Sequence, residues 1–267
     1  MSSPPLFGSG VDRLQETSRS ILSTAVPFAV AGTAVAVLLV VGFRQLAVPV
    51  VGASVGTPGA SLLPIHPTPY WVEPSTIRIA TVNGLKPRYL GATIVVWLLS
   101  ILAISIAIAL VIHRVTRQTD QPLPDRSRLG SLYLYVVTLS LLTLAIEDVF
   151  AERGFVSIVG VLVLVITSVL LFVGPVAIVR DSCSPLEAAR FNASTLSPAN
   201  PELIVIVLLL GITRHLLTGL SVLLAGSGIA DAVTIVFGTA ILGTVHTLAM
   251  CHAYDHGTGS LSEHLYS

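Results

Sequence analysis

Hydrophobic positions along this chain fall in long unbroken blocks, not at the helical or two-residue spacing of a half-buried surface. Crossing a hydrocarbon layer about 30 Å thick takes about 20 apolar residues of helix. Six stretches qualify: 25–43, 90–112, 131–149, 156–179, 203–225 and 229–250. The chain therefore reads as all-α, a polytopic transmembrane helical bundle of about six spans within a single integral membrane domain over 1–267. Arg44 closes the first block, Lys86 and Arg88 precede the second, and His113 and Arg114 close it. The third is the weakest, interrupted by Thr138, Ser140 and Thr143 and ended by Glu147 and Asp148. Gly174-Pro175 near the end of the fourth predicts a kink. Gly226-Ser227-Gly228 predicts that the fifth and sixth form an antiparallel hairpin. The first block is longer than the apolar core of a secretory signal, and Arg44 separates it from the small residues Val51-Gly52-Ala53. It is expected to be retained as an anchor.

Two connections carry information of their own. The longest, 44–89, is expected outside the cytoplasm; alternation from Thr76 to Val82 followed by Asn83-Gly84 suits a short strand and turn, or else an irregular loop on the headgroups. The other begins Ser184-Pro185-Leu186-Glu187, a helix start with Ser as N-cap, Pro in the first turn and Glu completing a capping box. Leu186, Ala189, Ala193 and Leu196 then share one arc, which predicts a short interfacial helix near 184–197 lying along the membrane surface. Asn192-Ala193-Ser194 within it is a glycosylation sequon, inert if cytoplasmic and therefore a marker of topology.

Composition agrees with lipid as the main solvent. Mean hydropathy is +0.88, with 53% hydrophobic and 10% charged residues, against about 25% charged in a soluble domain. Net charge is zero, so no basic surface suggests nucleic acid, and the partner implied is the lipid bilayer of the cell membrane. Placing both termini in the cytoplasm puts Arg13, Arg19, Arg114, Arg117, Arg126, Arg128, Arg180 and Arg190 inside. Arg44, Arg78, Lys86, Arg88 and Arg153 then lie outside, the expected direction of bias. Cys183 and Cys251 fall on the same cytoplasmic side and read as free thiols.

The stretch Phe172-Val173-Gly174-Pro175-Val176-Ala177-Ile178-Val179, running into Ser184-Pro185-Leu186-Glu187-Ala188-Ala189-Arg190, resembles a pattern in uncharacterised multi-pass membrane families of haloarchaea. In those, an apolar span ends in a Pro-containing motif and a surface helix follows. Gly84-Leu85-Lys86-Pro87-Arg88-Tyr89-Leu90 and Val245-His246 are similar to the same group. A more distant likeness is to the membrane domain attached to some glycerophosphoryl diester phosphodiesterases. The resemblance implies a compact archaeal helical membrane domain and brings no catalytic residues with it.

Candidate chemistry is sparse. Arg214 and His215 fall near the centre of the fifth block, where an Arg costs about 2.5 to 3.5 kcal/mol on insertion scales. Fifteen Leu, Ile and Val residues there offset this by about 5 to 9 kcal/mol. Asp231, Glu147 or Asp148 are the carboxylates that could meet the charge, as an intramembrane polar site or as a plain interhelical pair. His246, His252, Asp255 and His256 cluster late in the chain, but His246 is off the i, i+4 spacing a metal needs, and neither a metal nor a cofactor is expected. No phosphate loop, HExxH or nucleophile motif occurs, and helix packing is expected to rest on scattered small residues such as Ala240 and Gly243. The sequence thus points to a non-enzymatic domain that scaffolds, binds lipid or partners another membrane protein. The rival is a small transporter or permease subunit built around Arg214.

Overall fold

The computed structural model describes residues 25–39, 87–116, 125–150, 155–195, 204–213 and 229–265, with Ser23 and Leu216 besides. Within them the chain forms α1 (Ala25–Leu39), α2 (Pro87–Val115), α3 (Arg126–Phe150), α4 (Phe155–Leu170), α5 (Gly174–Asp181), α6 (Pro185–Thr195), α7 (Ile204–Thr213) and α8 (Ile229–Leu265). No strand occurs among the described residues. Four segments are long and apolar enough to cross a membrane: Leu90–Val115, Arg126–Ile146, Ile158–Asp181 and Val236–Asp255. The first and fifth expected spans appear as the shorter apolar helices α1 and α7. The expected strand at 76–82 and the hairpin turn at 226–228 lie outside the described residues.

Outward faces are as apolar as the interior. On α2, Trp97, Ile101, Ile104, Ile108 and Ile112 are buried while Ile94, Val95, Leu99, Leu102 and Ile106 are exposed. A soluble helix would place polar residues on that second face; a helix in lipid need not. This all-round apolarity is consistent with a membrane protein. Helices meet through small residues. Ala25, Ala29, Thr33 and Ala36 form a fully buried stripe on α1, and Gly32 lies so close to Ala107 that a Cβ there would stand 2.4 Å from the Ala107 Cβ.

Two of the three polar residues that weaken the third block are accommodated locally, whereas the buried Ser140 hydroxyl has no hydrogen-bond partner among the described residues. Thr138 and Thr143 donate to the carbonyls of Leu134 and Leu139, one turn back, both at 2.9 Å. Thr33, Ser105, Thr244 and Thr247 do the same elsewhere, so their hydroxyls enter an apolar interior already satisfied. α3 also starts five residues earlier than expected, because Asp125 caps it: its carboxylate accepts the Arg126 N–H at 2.7 Å and the Ser127 hydroxyl at 3.3 Å.

Two further expectations are corrected. The fourth block is not one kinked helix but two, α4 and α5, separated by a turn at 171–173, and Pro175 sits in the first turn of α5. Proline lacks an N–H and crowds the carbonyl four residues back, so it begins a helix more readily than it continues one. The last helix runs on well past residue 250, to Leu265. The expected surface helix exists as α6 with its capping box intact: Glu187 N–H donates to Ser184 Oγ at 3.3 Å and Ser184 N–H to Glu187 Oε2 at 2.8 Å. Toward the bundle it turns a face that the sequence did not single out. Leu186 is exposed, whereas Ala188 and Asn192 are fully buried. Ser182, in the left-handed conformation at φ 59°, turns the chain so that α6 folds back on α5.

The backbone N–H of Ser184, and after it the Ser184 hydroxyl, hold the Glu187 carboxyl below the usual carboxylate range. A depressed folded-state value means stability that is present above the unfolded value and lost as pH falls through the folded one. Helicity of α6 is therefore expected to decline on acidification below the ordinary carboxylate range. Glu187→Gln, which can still reach back to Ser184, should remove that pH dependence in a circular dichroism or hydrogen-exchange titration.

Candidate functional site

The described polar groups that depart from regular helix gather where the backbone breaks. Because Pro175 cannot donate to the carbonyl of Leu171, that oxygen is released from the helix ladder. Tyr135 of α3 takes it, donating its hydroxyl at 2.8 Å. Around the turn the ladder tightens, with Phe172 N–H to Val169 O and Gly174 N–H to Leu171 O, both at 3.4 Å. Val173 N–H is turned out of the ladder and donates to Asn192 Oδ1 at 3.2 Å, from 19 residues away on α6. One side chain from each of two helices thus closes the break.

Gly174 is the spatial condition for this arrangement. A Cβ there would lie 2.1 Å from the Tyr135 hydroxyl oxygen and 2.3 Å from Cζ. Phe172 is fully buried beside the break and stacks on His246 of α8, ring centroids 5.0 Å apart and planes 19° apart. Residues 174–179 are all buried, and α5 packs against α2, α3, α6 and α8. The short helix after the break is thus the centre of the bundle.

A second polar group gathers at the far end of α5. Arg128 donates to the carbonyl of Val179 at 3.0 Å, satisfying an acceptor in the last turn. Arg180 pairs with Asp255 and lies 5.0 Å over the ring of Tyr254, whose hydroxyl donates to Asp181. Phe191 of α6 packs against the same tyrosine, 5.6 Å between centroids. These contacts latch α5 and α6 to α8. Asp255 is 62% exposed, so the ion pair itself contributes under about 1 kcal/mol. On the same end Arg114 lies 5.3 Å over Phe28, which sets the start of α1 beside the end of α2. Cys183 is a free, half-buried thiol pushed up by burial and by Asp181 and Glu187, hence a poor nucleophile.

The residues singled out from sequence fare differently. Arg214 and His215 lie outside the described residues. Glu147 and Asp148 fall in the last turn of α3 and Asp231 in the first turn of α8, with side chains outside the description. Both positions are at the end of the bundle opposite Arg180 and Asp255. His246 is buried against Phe172 while His252 and Asp255 are exposed, and no group of three His, Cys, Asp or Glu suited to a metal occurs among the described residues. Sequence reading missed Tyr135, took Arg128 only as a charge that orients the chain, and treated Asn192 as a sequon. The Asn192 side chain is fully buried against Val173, so an unmodified Asn192 does not by itself report topology. One signal was present: a proline inside an apolar span always leaves a carbonyl needing a donor, and Tyr135 and Asn192 are polar residues in helices that border it. Searches against protein-family models, curated proteins and solved structures find no match to this chain.

Proposed function

We propose that this chain is a non-enzymatic membrane domain that acts by binding, as a scaffold for lipid or for a partner membrane protein. In this reading α1 and α7 are the cores of two further spans, giving six, and both termini face the cytoplasm. Support for that orientation comes from Arg114, Arg126, Arg128 and Arg180, which the helix hairpins bring to one end of the bundle. The archaeal cell membrane is the setting that the motifs around Pro175 and Pro185 suggest.

The observation that carries a binding role over transport is the closure of the broken helix. Broken helices in transporters leave backbone groups to line a water-filled path or to hold substrate. Here the freed Leu171 carbonyl and Val173 N–H are both taken by protein side chains, and Phe172 and Val173 are fully buried around them. The break serves to fold α6 against the bundle. The second reading, a small transporter or permease subunit, draws its support from the same break, which brings the polar Asn192 into the core.

Cysteine accessibility separates the two. In a background carrying Cys183→Ser and Cys251→Ala, Ser168→Cys and Ala177→Cys flank the break from buried positions. Neither is expected to react with a membrane-impermeant maleimide from either face, whereas Ser184→Cys, an exposed position, should label from one. Labelling at 168 or 177 would establish a water path through the bundle and favour transport.

A further inference from the structure

The outer surface of the bundle is broken by a groove of about 250 Å³ between α2 and α3. Leu102 and Ile106 of α2 face Leu129 and Tyr133 of α3 across it. Gly130 forms its floor, where an added Cβ would meet nothing within 4 Å. Arg126 stands at one end, exposed, as the first residue of α3. We infer that this groove is a binding site for one anionic phospholipid, an acyl chain lying along Gly130 and the headgroup phosphate on Arg126.

The occupant follows from shape and charge together. In a bilayer the medium beside an open apolar groove is hydrocarbon chain, which fits walls of Leu, Ile and the tyrosine ring without any polar group to satisfy. Charge then selects among lipids. Arg126 begins a helix whose first turn holds no acidic side chain, so its guanidinium adds to the positive end of the helix dipole. Among the described residues the carboxylate beside it, Asp125, accepts from the Arg126 N–H and the Ser127 hydroxyl as a cap. Arg128, one turn face away, is bound to the Val179 carbonyl. Arg126 is thus the cation of this helix end that faces the groove, and a phosphodiester at the membrane surface supplies its counter-charge. Tyr133 spans the groove, its hydroxyl 3.4 Å from the Leu98 carbonyl, and so fixes how far α2 and α3 stand apart.

The site deepens the binding role proposed above by naming a ligand class, but its test is independent of maleimide labelling at the break. The full chain, purified in a mild detergent, would be titrated with dioleoyl phosphatidylglycerol or dioleoyl phosphatidylcholine and bound lipid counted by native mass spectrometry. Phosphatidylglycerol is expected to be retained about fivefold more tightly than phosphatidylcholine, one basic contact's worth at a membrane surface. Arg126→Gln should erase that preference, and Gly130→Leu should lower retention of both lipids by filling the floor. Each variant should keep wild-type helicity, since both positions are exposed. Arg114→Gln removes a charge at the same end away from the groove and should leave the preference intact. Equal retention of the two lipids by the wild type, an unchanged preference in Arg126→Gln, or an equal loss in Arg114→Gln would each overturn the site.

Discussion

Replacing Gly174 by alanine is expected to lower the stability of the bundle by about 3 kcal/mol or more, the largest effect of any single methyl group described. The new Cβ would stand 2.1 Å from the Tyr135 hydroxyl oxygen and 2.3 Å from Cζ, distances that real atoms do not share. Tyr135 belongs to a helix packed along α4 and α5 and is 3% exposed, so it has little room to retreat. Overpacking of this kind costs about 1 to 3 kcal/mol. Displacing the ring also takes the better of two donors from the Leu171 carbonyl, leaving only the 3.4 Å contact from Gly174 N–H, and an under-satisfied acceptor there costs about 1 kcal/mol or more besides. The intrinsic helix preference of alanine over glycine, about 1 kcal/mol, works the other way and is outweighed. Thermal unfolding in detergent would measure the loss. The same substitution in a Tyr135→Ala background should cost far less, because the atoms it strikes are gone. A Gly174→Ala protein melting with the wild type would mean that Tyr135 does not occupy the position described.

Asn192→Ala is expected to cost about 2 kcal/mol, and to do so through a single amide. Hydrogen bonds between membrane helices average below about 1 kcal/mol, because separated helices find other partners for the same groups. Val173 N–H is a different case: the Val169 carbonyl that would serve it in a continuous helix is already approached by Phe172 N–H. Removing the Asn192 carbonyl therefore leaves a donor stranded among fully buried apolar side chains. Hydrogen exchange gives the sharper reading, since the Val173 amide should lose protection more than its neighbours in α5. Asn192→Ala combined with Tyr135→Phe should be non-additive, as the two side chains serve backbone groups two residues apart in one break. Additive losses with no local change at Val173 would mean that the two residues act separately.

The residues of this cluster mark where sequence reading stops. Pro175 announced trouble for a helix at that point, and the physics of proline made the trouble specific: a missing donor and a crowded carbonyl at Leu171. What resolved it came from 36 residues before and 21 after, from Tyr135 and Asn192, and no local pattern links them. Which residues of α6 turn toward the bundle was equally beyond local pattern. Leu186 was the better candidate for burial by hydrophobicity alone, and in a membrane protein an exposed leucine carries no penalty, because what lies outside is as apolar as what lies inside. Burial on α6 was decided by the need of Val173 N–H for an acceptor, and Asn192, one turn from Ala188, supplied it.

The chain itself determined its solvent and its elements. Blocks of about 20 apolar residues have one stable form in lipid, the helix that satisfies its own backbone, and Ser184 with Glu187 placed a helix start by contacts three residues apart. Only tertiary structure decided that the Phe155–Asp181 segment is two helices, that Gly174 must lack a side chain, and that a sequon asparagine is a buried clamp. Local hydrogen bonding and hydropathy can be read from neighbours in sequence, whereas the satisfaction of a broken backbone depends on which helices pack around it.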